Sequence, residues 1–248
     1  MAGFDYQNCP YPVSDGKQLA HREAWQKIAG PGNWWTGAQR VAIVQAARDA
    51  TACPLCKARK EALSPFSIAG QHSGRVELPD VATDATHRIT TDPSRLNGAW
   101  IQGIVDEAFT YGHYVELLGV VVAALSIDTL HRALGLPLAP LPTPAPGEPD
   151  GYLPPGAAID VAWVPMLTPQ TLTEREQDIF LGAPATANVI RALSLVPDAV
   201  RLLHSLAAAH YVPTNLVRDF AATGSLQLSR PQIELVASRT SALNDCFY

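Results

Sequence analysis

The sequence predicts an all-α fold, and three observations carry that expectation. Apolar residues recur at helical spacing through most of 18–134, most clearly in 38–52 and 114–134. The breaks between such windows fall at Pro and Gly, the punctuation of a helical array. Alternating β-branched runs, the mark of half-buried strands, are scarce; 76–81 and 158–163 are the two short stretches that read as extended.

In chain order, the long helical region ends at Gly135-Leu136-Pro137, a helix stop. The Pro-rich stretch that follows, with Gly147 and Gly151, suits neither a helix nor a central strand and reads as an extended connector. Helices are then expected over 174–180, 187–195, 198–210, 215–223 and 230–243, separated by Pro184, Pro197, Pro213 and Gly224. The expected organisation is therefore an N-terminal helical domain over 1–136, a linker over 137–157 and a second helical domain over 158–248. Within the first domain, Thr90-Thr91-Asp92-Pro93-Ser94 reads as a turn that starts a helix, and Trp34-Trp35 as a packing anchor.

Composition narrows the function classes. The 248 residues are 47% hydrophobic, enough for a sizeable core. The 18 basic and 23 acidic residues give a net charge of -5 without a basic stripe, so no nucleic-acid partner is expected. The most apolar stretch, 117–127, is closed by Glu116 and Asp128 and falls short of the ~20 apolar residues a bilayer span needs. It reads as a buried helix. With no basic segment leading into an apolar run at the N-terminus, a cytoplasmic location without membrane association is expected. Four cysteines, Cys9, Cys53, Cys56 and Cys246, are too few for a secreted disulfide framework.

The C-terminal segment from Pro231 to Tyr248 places Glu234 twelve positions before Cys246 in an apolar helical pattern that ends Asn244-Asp245-Cys246-Phe247-Tyr248. This string resembles the signature of the alkylhydroperoxidase D and carboxymuconolactone decarboxylase superfamily. There a Glu stands twelve positions before the first Cys of a Cys-x-x-Cys motif, and a His follows the second Cys by four. Glu234 and Cys246 match, while the second Cys and the His would fall beyond Tyr248. The chain is thus expected to break off inside its motif. An in-frame UGA encoding selenocysteine, or a truncated and inactive paralogue, would each account for that. In one straight helix, Glu234 and Cys246 would sit ~18 Å apart along the axis, so proton transfer between them requires a bend, expected at Asn244-Asp245.

The second constellation is Cys53-Pro54-Leu55-Cys56-Lys57. Pro54 suits the first position of a helix, with Cys53 at the cap and Cys56 one turn on, and Lys57, Arg59 and Lys60 add charge that favours a thiolate. Val41 stands where the superfamily spacing asks for Glu, and Lys60 where it asks for His; Glu116 and His87 are the candidate substitutes for the relay. A structural zinc site needs four donors, and no second pair at short spacing accompanies Cys53 and Cys56, so no metal is expected. Covalent haem attachment would need His at position 57, which is Lys. His204 and His210, six apart on one expected helix, face different directions.

The resemblance implies an AhpD-like all-α architecture of two helical halves and a thiol-dependent peroxidase. Cys246, Glu234, Cys53 and Cys56 are its candidate catalytic residues, and no cofactor or metal is required. It further implies a hydroperoxide substrate, a lipoyl or thioredoxin-like dithiol reductant and a homo-oligomer. A non-catalytic helical interaction protein and, with less support, a decarboxylase of the same superfamily are the alternatives.

Overall fold

The computed structural model describes residues 4, 6, 9–223, 226–244 and 246. Among them, nine α-helices account for nearly all the regular structure, and the one sheet is a pair of two-residue strands, β1 (Ala158–Ile159) and β2 (Pro165–Met166), paired antiparallel with Ala158 opposite Met166. The all-α expectation holds.

Local chemistry sets the helix ends. In α1 (Asp15–Ala29), the Ser14 hydroxyl accepts the Lys17 amide, so a first-turn donor is satisfied. α2 (Gly37–Ala50) and α6 (Tyr111–Ala133) each open with a reciprocal capping box, Thr36 with Gln39 and Thr110 with His113. α3 (Pro54–Glu61) begins at Pro54 with Cys53 as its cap, as the sequence suggested. α4 (Asp80–Thr91) and α5 (Gly98–Ile104) follow, the latter capped by Asn97. After α6, Gly135 takes a positive φ of 67°, which ends the helix.

Beyond the connector, the expected helices are only partly realised. α8 (Pro197–His210) and α9 (Arg230–Leu243) match 198–210 and 230–243. The window 187–195 contains just one turn of helix, α7 (Asn188–Arg191), and 215–223 has a 3-10 turn at Thr214–Leu216 instead of an α-helix. Over 174–180 the chain forms successive tight turns that end in positive φ at Leu181 and Gly182. These windows are too short to repay helix nucleation locally. The Thr173 amide does donate to the Glu176 carboxylate, a capping contact, but the turn it opens is not continued into a helix. Of the two extended stretches, 158–163 contains β1, whereas 76–81 runs into α4. Residues 90–94 hold the end of α4 and a 3-10 turn at Pro93–Arg95 rather than the start of an α-helix. Gly224, named as a break, lies outside the described residues.

α2 packs on α4 and α6, and α8 packs on α6 and α1, so helices from both sides of the connector share one core around Ile28, Ile43, Leu117, Ile127, Leu195 and Val200. Gly119 permits the closest approach: a Cβ there would lie 2.7 Å from that of Ala199. Two ion pairs tie α6 to α2, Arg40 to Glu116 and Arg48 to Asp128, so the helices run in the same sense. α6 is long and apolar enough to cross a membrane by length and composition, but most of it is buried among the other helices. The connector is extended, as expected, yet docked rather than free. Ala145 donates its amide to the Ala29 carbonyl, Gly151 to that of Asn33, and the Trp25 indole to Pro140. A boundary at 137–157 therefore divides the sequence but not the core.

Candidate functional site

Cys53, Cys56, His72 and His87 converge beside the start of α3, their donor atoms all within 4.8 Å of one another. Three segments deliver them. The cap and first turn of α3 carry the cysteines, the loop before α4 carries His72, and the buried face of α4 carries His87. Gly74 lets that loop close. Its φ is +83°, and a Cβ would collide with the Asp49 carboxylate.

His72 Nδ1 stands 3.6 Å from both sulfurs, and His87 Nδ1 lies 3.3 Å from Cys56 Sγ. The Ser73 amide donates to Cys53 Sγ at 3.4 Å. Asp84, on α4, approaches His72 Nε2 at 2.9 Å and also accepts from Arg59 and Arg88. Arg59 Nη1 also lies 3.3 Å from the same nitrogen. Because a carboxylate can only accept, and because its contact is the shorter, Nε2 carries a proton toward Asp84.

The electrostatics follow. Burial alone would raise the Cys53 thiol, but hydrogen bonds from Ser73, the Cys56 amide and His72 more than offset it and bring the pKa down to about 6. Burial would likewise lower His72, yet Asp84 and the two sulfurs drive it up to about 10. Asp84 itself lies well below the usual carboxylate range despite its burial, held there by His72, Arg59 and Arg88. His87 is held neutral, down to about 4, by burial and by the charge of His72. At neutral pH the centre is therefore a Cys53 thiolate beside a His72 imidazolium, with His87 neutral behind Cys56. Cys53 and Cys56 are almost wholly covered, while His72 and Asp84 line a neighbouring cleft of about 460 Å³.

The other expected site residues lie elsewhere. Glu234 is on the second turn of α9, where it accepts from the Tyr211 hydroxyl at 2.6 Å and Arg230 Nε at 2.5 Å. Cys246 is exposed, with its amide on the Ser241 carbonyl at the far end of that helix. Seven residues of straight helix separate Glu234 from Ser241, roughly 10 Å of rise, so the proton transfer expected between Glu234 and Cys246 does not form. The bend proposed at Asn244-Asp245 involves Asp245, outside the described residues. Glu116 accepts the Trp34 amide at 2.7 Å and pairs with Arg40, so of the two candidate substitutes His87 alone joins the cysteines. His204 and His210 have separate partners: His204 bonds Thr214 and the Ile179 carbonyl, His210 bonds His21.

No family model, curated protein or solved structure matches this chain. The residues themselves are therefore the ground for a functional reading. Of these, sequence reasoning missed His72 and Asp84. The signal was present but diffuse, since His72 follows Cys56 by sixteen positions and precedes His87 by fifteen, longer than the short spacings that mark ligand or relay pairs.

Proposed function

We propose that Cys53 and Cys56 form the dithiol of a thiol-dependent peroxidase. The observation that carries this reading is the His72 imidazole, poised equally on both sulfurs and backed by Asp84. The Cys53 thiolate attacks the terminal oxygen of a hydroperoxide, the S–O bond forms and the O–O bond breaks. The departing oxygen takes the proton from His72 Nδ1 and leaves as water or an alcohol. Cys56 then attacks the sulfenic sulfur, expels water and closes a disulfide, which an external dithiol of lipoyl or thioredoxin type reduces. Asp84 is a positioning residue that keeps His72 charged and aimed.

Glu234 and Cys246 have no part in this cycle, and a homo-oligomer in the cytoplasm remains the proposed setting. The test is hydroperoxide consumption by the reduced, metal-free protein with dihydrolipoamide as reductant. Turnover is expected in the wild type, in Cys246→Ser and in Glu234→Gln, and its loss in Cys53→Ser. A wild type that consumes no hydroperoxide beyond the protein-free rate, or a Cys53→Ser variant that keeps turning over, overturns the reading.

A further inference from the structure

We infer that Cys53, Cys56, His72 and His87 are the four ligands of a tetrahedral zinc site. Metal–sulfur bonds of about 2.3 Å and metal–nitrogen bonds of about 2.05 Å separate sulfur from nitrogen by about 3.5 Å across a tetrahedral centre. Three of the four sulfur–nitrogen separations in the cluster are 3.6, 3.6 and 3.3 Å, and all donor atoms lie within 4.8 Å of one another. A single proton on His72 Nδ1 can lie on the line to one sulfur only, whereas an ion between the groups satisfies both sulfurs and both rings together.

The surroundings fit the same reading. With Nε2–H held by Asp84, neutral His72 has the tautomer whose Nδ1 lone pair faces the sulfurs, the carboxylate–histidine arrangement that orients zinc ligands. The Ser73 amide on Cys53 Sγ supplies the donor that a metal-bound thiolate accepts. Two thiolates and two neutral imidazoles leave a zinc centre uncharged, which suits ligands this deeply covered. All four positions are filled, so the site is of the closed, structural kind, and it would pin the loop bearing His72 to α3 and α4.

The inference uses the cysteines of the peroxidase reading but does not rest on it, because zinc binding needs only reduced thiols and no turnover. The two are linked by competition: a proton on His72 Nδ1 stands where the ion would stand, so peroxidase activity belongs to the zinc-free dithiol and added zinc should suppress it.

The test begins with reduced, demetallated full-length protein, equilibrated with Zn²⁺ and desalted, with zinc measured by mass spectrometry. One zinc per chain is expected in the wild type, Cys9→Ser and Cys246→Ser, with loss in Cys53→Ser, Cys56→Ser and His72→Asn. Cobalt substitution should give the intense visible bands and thiolate charge transfer of a tetrahedral site. Because a lost ligand can also disturb folding, His87→Cys is the control: it exchanges one donor for another and should restore binding that His87→Ala abolishes. Substoichiometric zinc in the reduced wild type, binding indifferent to the four ligands, or a weakly absorbing octahedral cobalt spectrum overturns the site. These outcomes are read without hydroperoxide, so they stand apart from failure of the peroxidase assay.

Discussion

His72 decides what the two cysteines can do. It stands 3.6 Å from each sulfur, a distance at which opposite charges attract by roughly 4 kcal/mol at an effective dielectric near 20. Hydrogen bonds from Ser73 first, then from the Cys56 amide and His72, separate Cys53 from an ordinary buried thiol. Replacing His72 therefore has a definite sign. In zinc-free protein the rate of Cys53 alkylation by iodoacetamide, followed on its own peptide, should rise with pH around a midpoint of about 6. In His72→Asn the midpoint should move upward while staying below the range of a free thiol near 8.5, because Ser73, through its side chain and amide, and the Cys56 amide still oppose burial. An unchanged midpoint would mean that Ser73 and the Cys56 amide hold the thiolate without His72. Cys53 and Cys56 were legible in the sequence because their spacing and Pro54 declare a helix start. His72 was not, since a His in a Gly-rich loop acquires meaning only when that loop folds back over α3.

At the scale of elements, α2 and α6 are joined at both ends by buried charges, and the two ends differ. Arg48 grips Asp128 with Nε and Nη2, each at 2.8 Å, and gives Nη1 to the Ala139 carbonyl, so its guanidinium is well satisfied. Arg40 and Glu116 meet less well. Arg40 Nε and Glu116 Oε1 find no well-aligned hydrogen bond, and burial pushes Glu116 up and Arg40 down, each against the influence of its partner. Asp128→Ala should then cost about 3–5 kcal/mol in urea unfolding, since it strands a buried guanidinium. Replacing Arg48 and Asp128 together with Met and Leu should recover much of that loss, because the desolvation of both charges goes with the pair. A small cost for the single change would mean that water reaches Arg48. The sequence marked Glu116 and Asp128 as closing the apolar stretch 117–127, but α6 runs past both, from Tyr111 to Ala133, and both are buried along it. The sequence did not show their partners, because Arg40 and Arg48 pair with them across tertiary distance.

Across the whole molecule, buried histidines set the response to acid. His131 Nδ1 donates to the Pro137 carbonyl at 2.7 Å, so its Nε2 must accept from the Tyr6 hydroxyl. Tyr6 in turn accepts from His21 Nδ1, which leaves His21 Nε2 to accept from His210. A line of hydrogen-bonded imidazoles anchored on one backbone carbonyl of the connector thus runs from α6 through α1 to α8. No local pattern in the sequence could reveal that line, since its members come from 6 to 210. Burial, reinforced by the neighbouring His210, lowers His21 to about 3, and burial lowers His87 to about 4. For both, the unfolded chain binds a proton that the folded chain refuses between about pH 6.5 and 4. Their stabilising contribution is complete above 6.5 and is lost as pH falls through that window. Above it, Cys53 and His72 act in opposite directions. The depressed thiol adds stability as pH rises from about 6 to 9, and the raised imidazole gives it up from 6.5 to 10. Zinc-free protein should therefore show a plateau of unfolding free energy between about pH 6.5 and 9, and a fall below it to which His21, His87, His113 and His210, all lowered by burial, contribute. His21→Gln and His87→Asn should each make that slope shallower, whatever they do to stability at pH 7. A wild-type slope near zero between pH 6 and 4.5 would mean that the imidazoles gain a proton without unfolding, which their place in the core opposes.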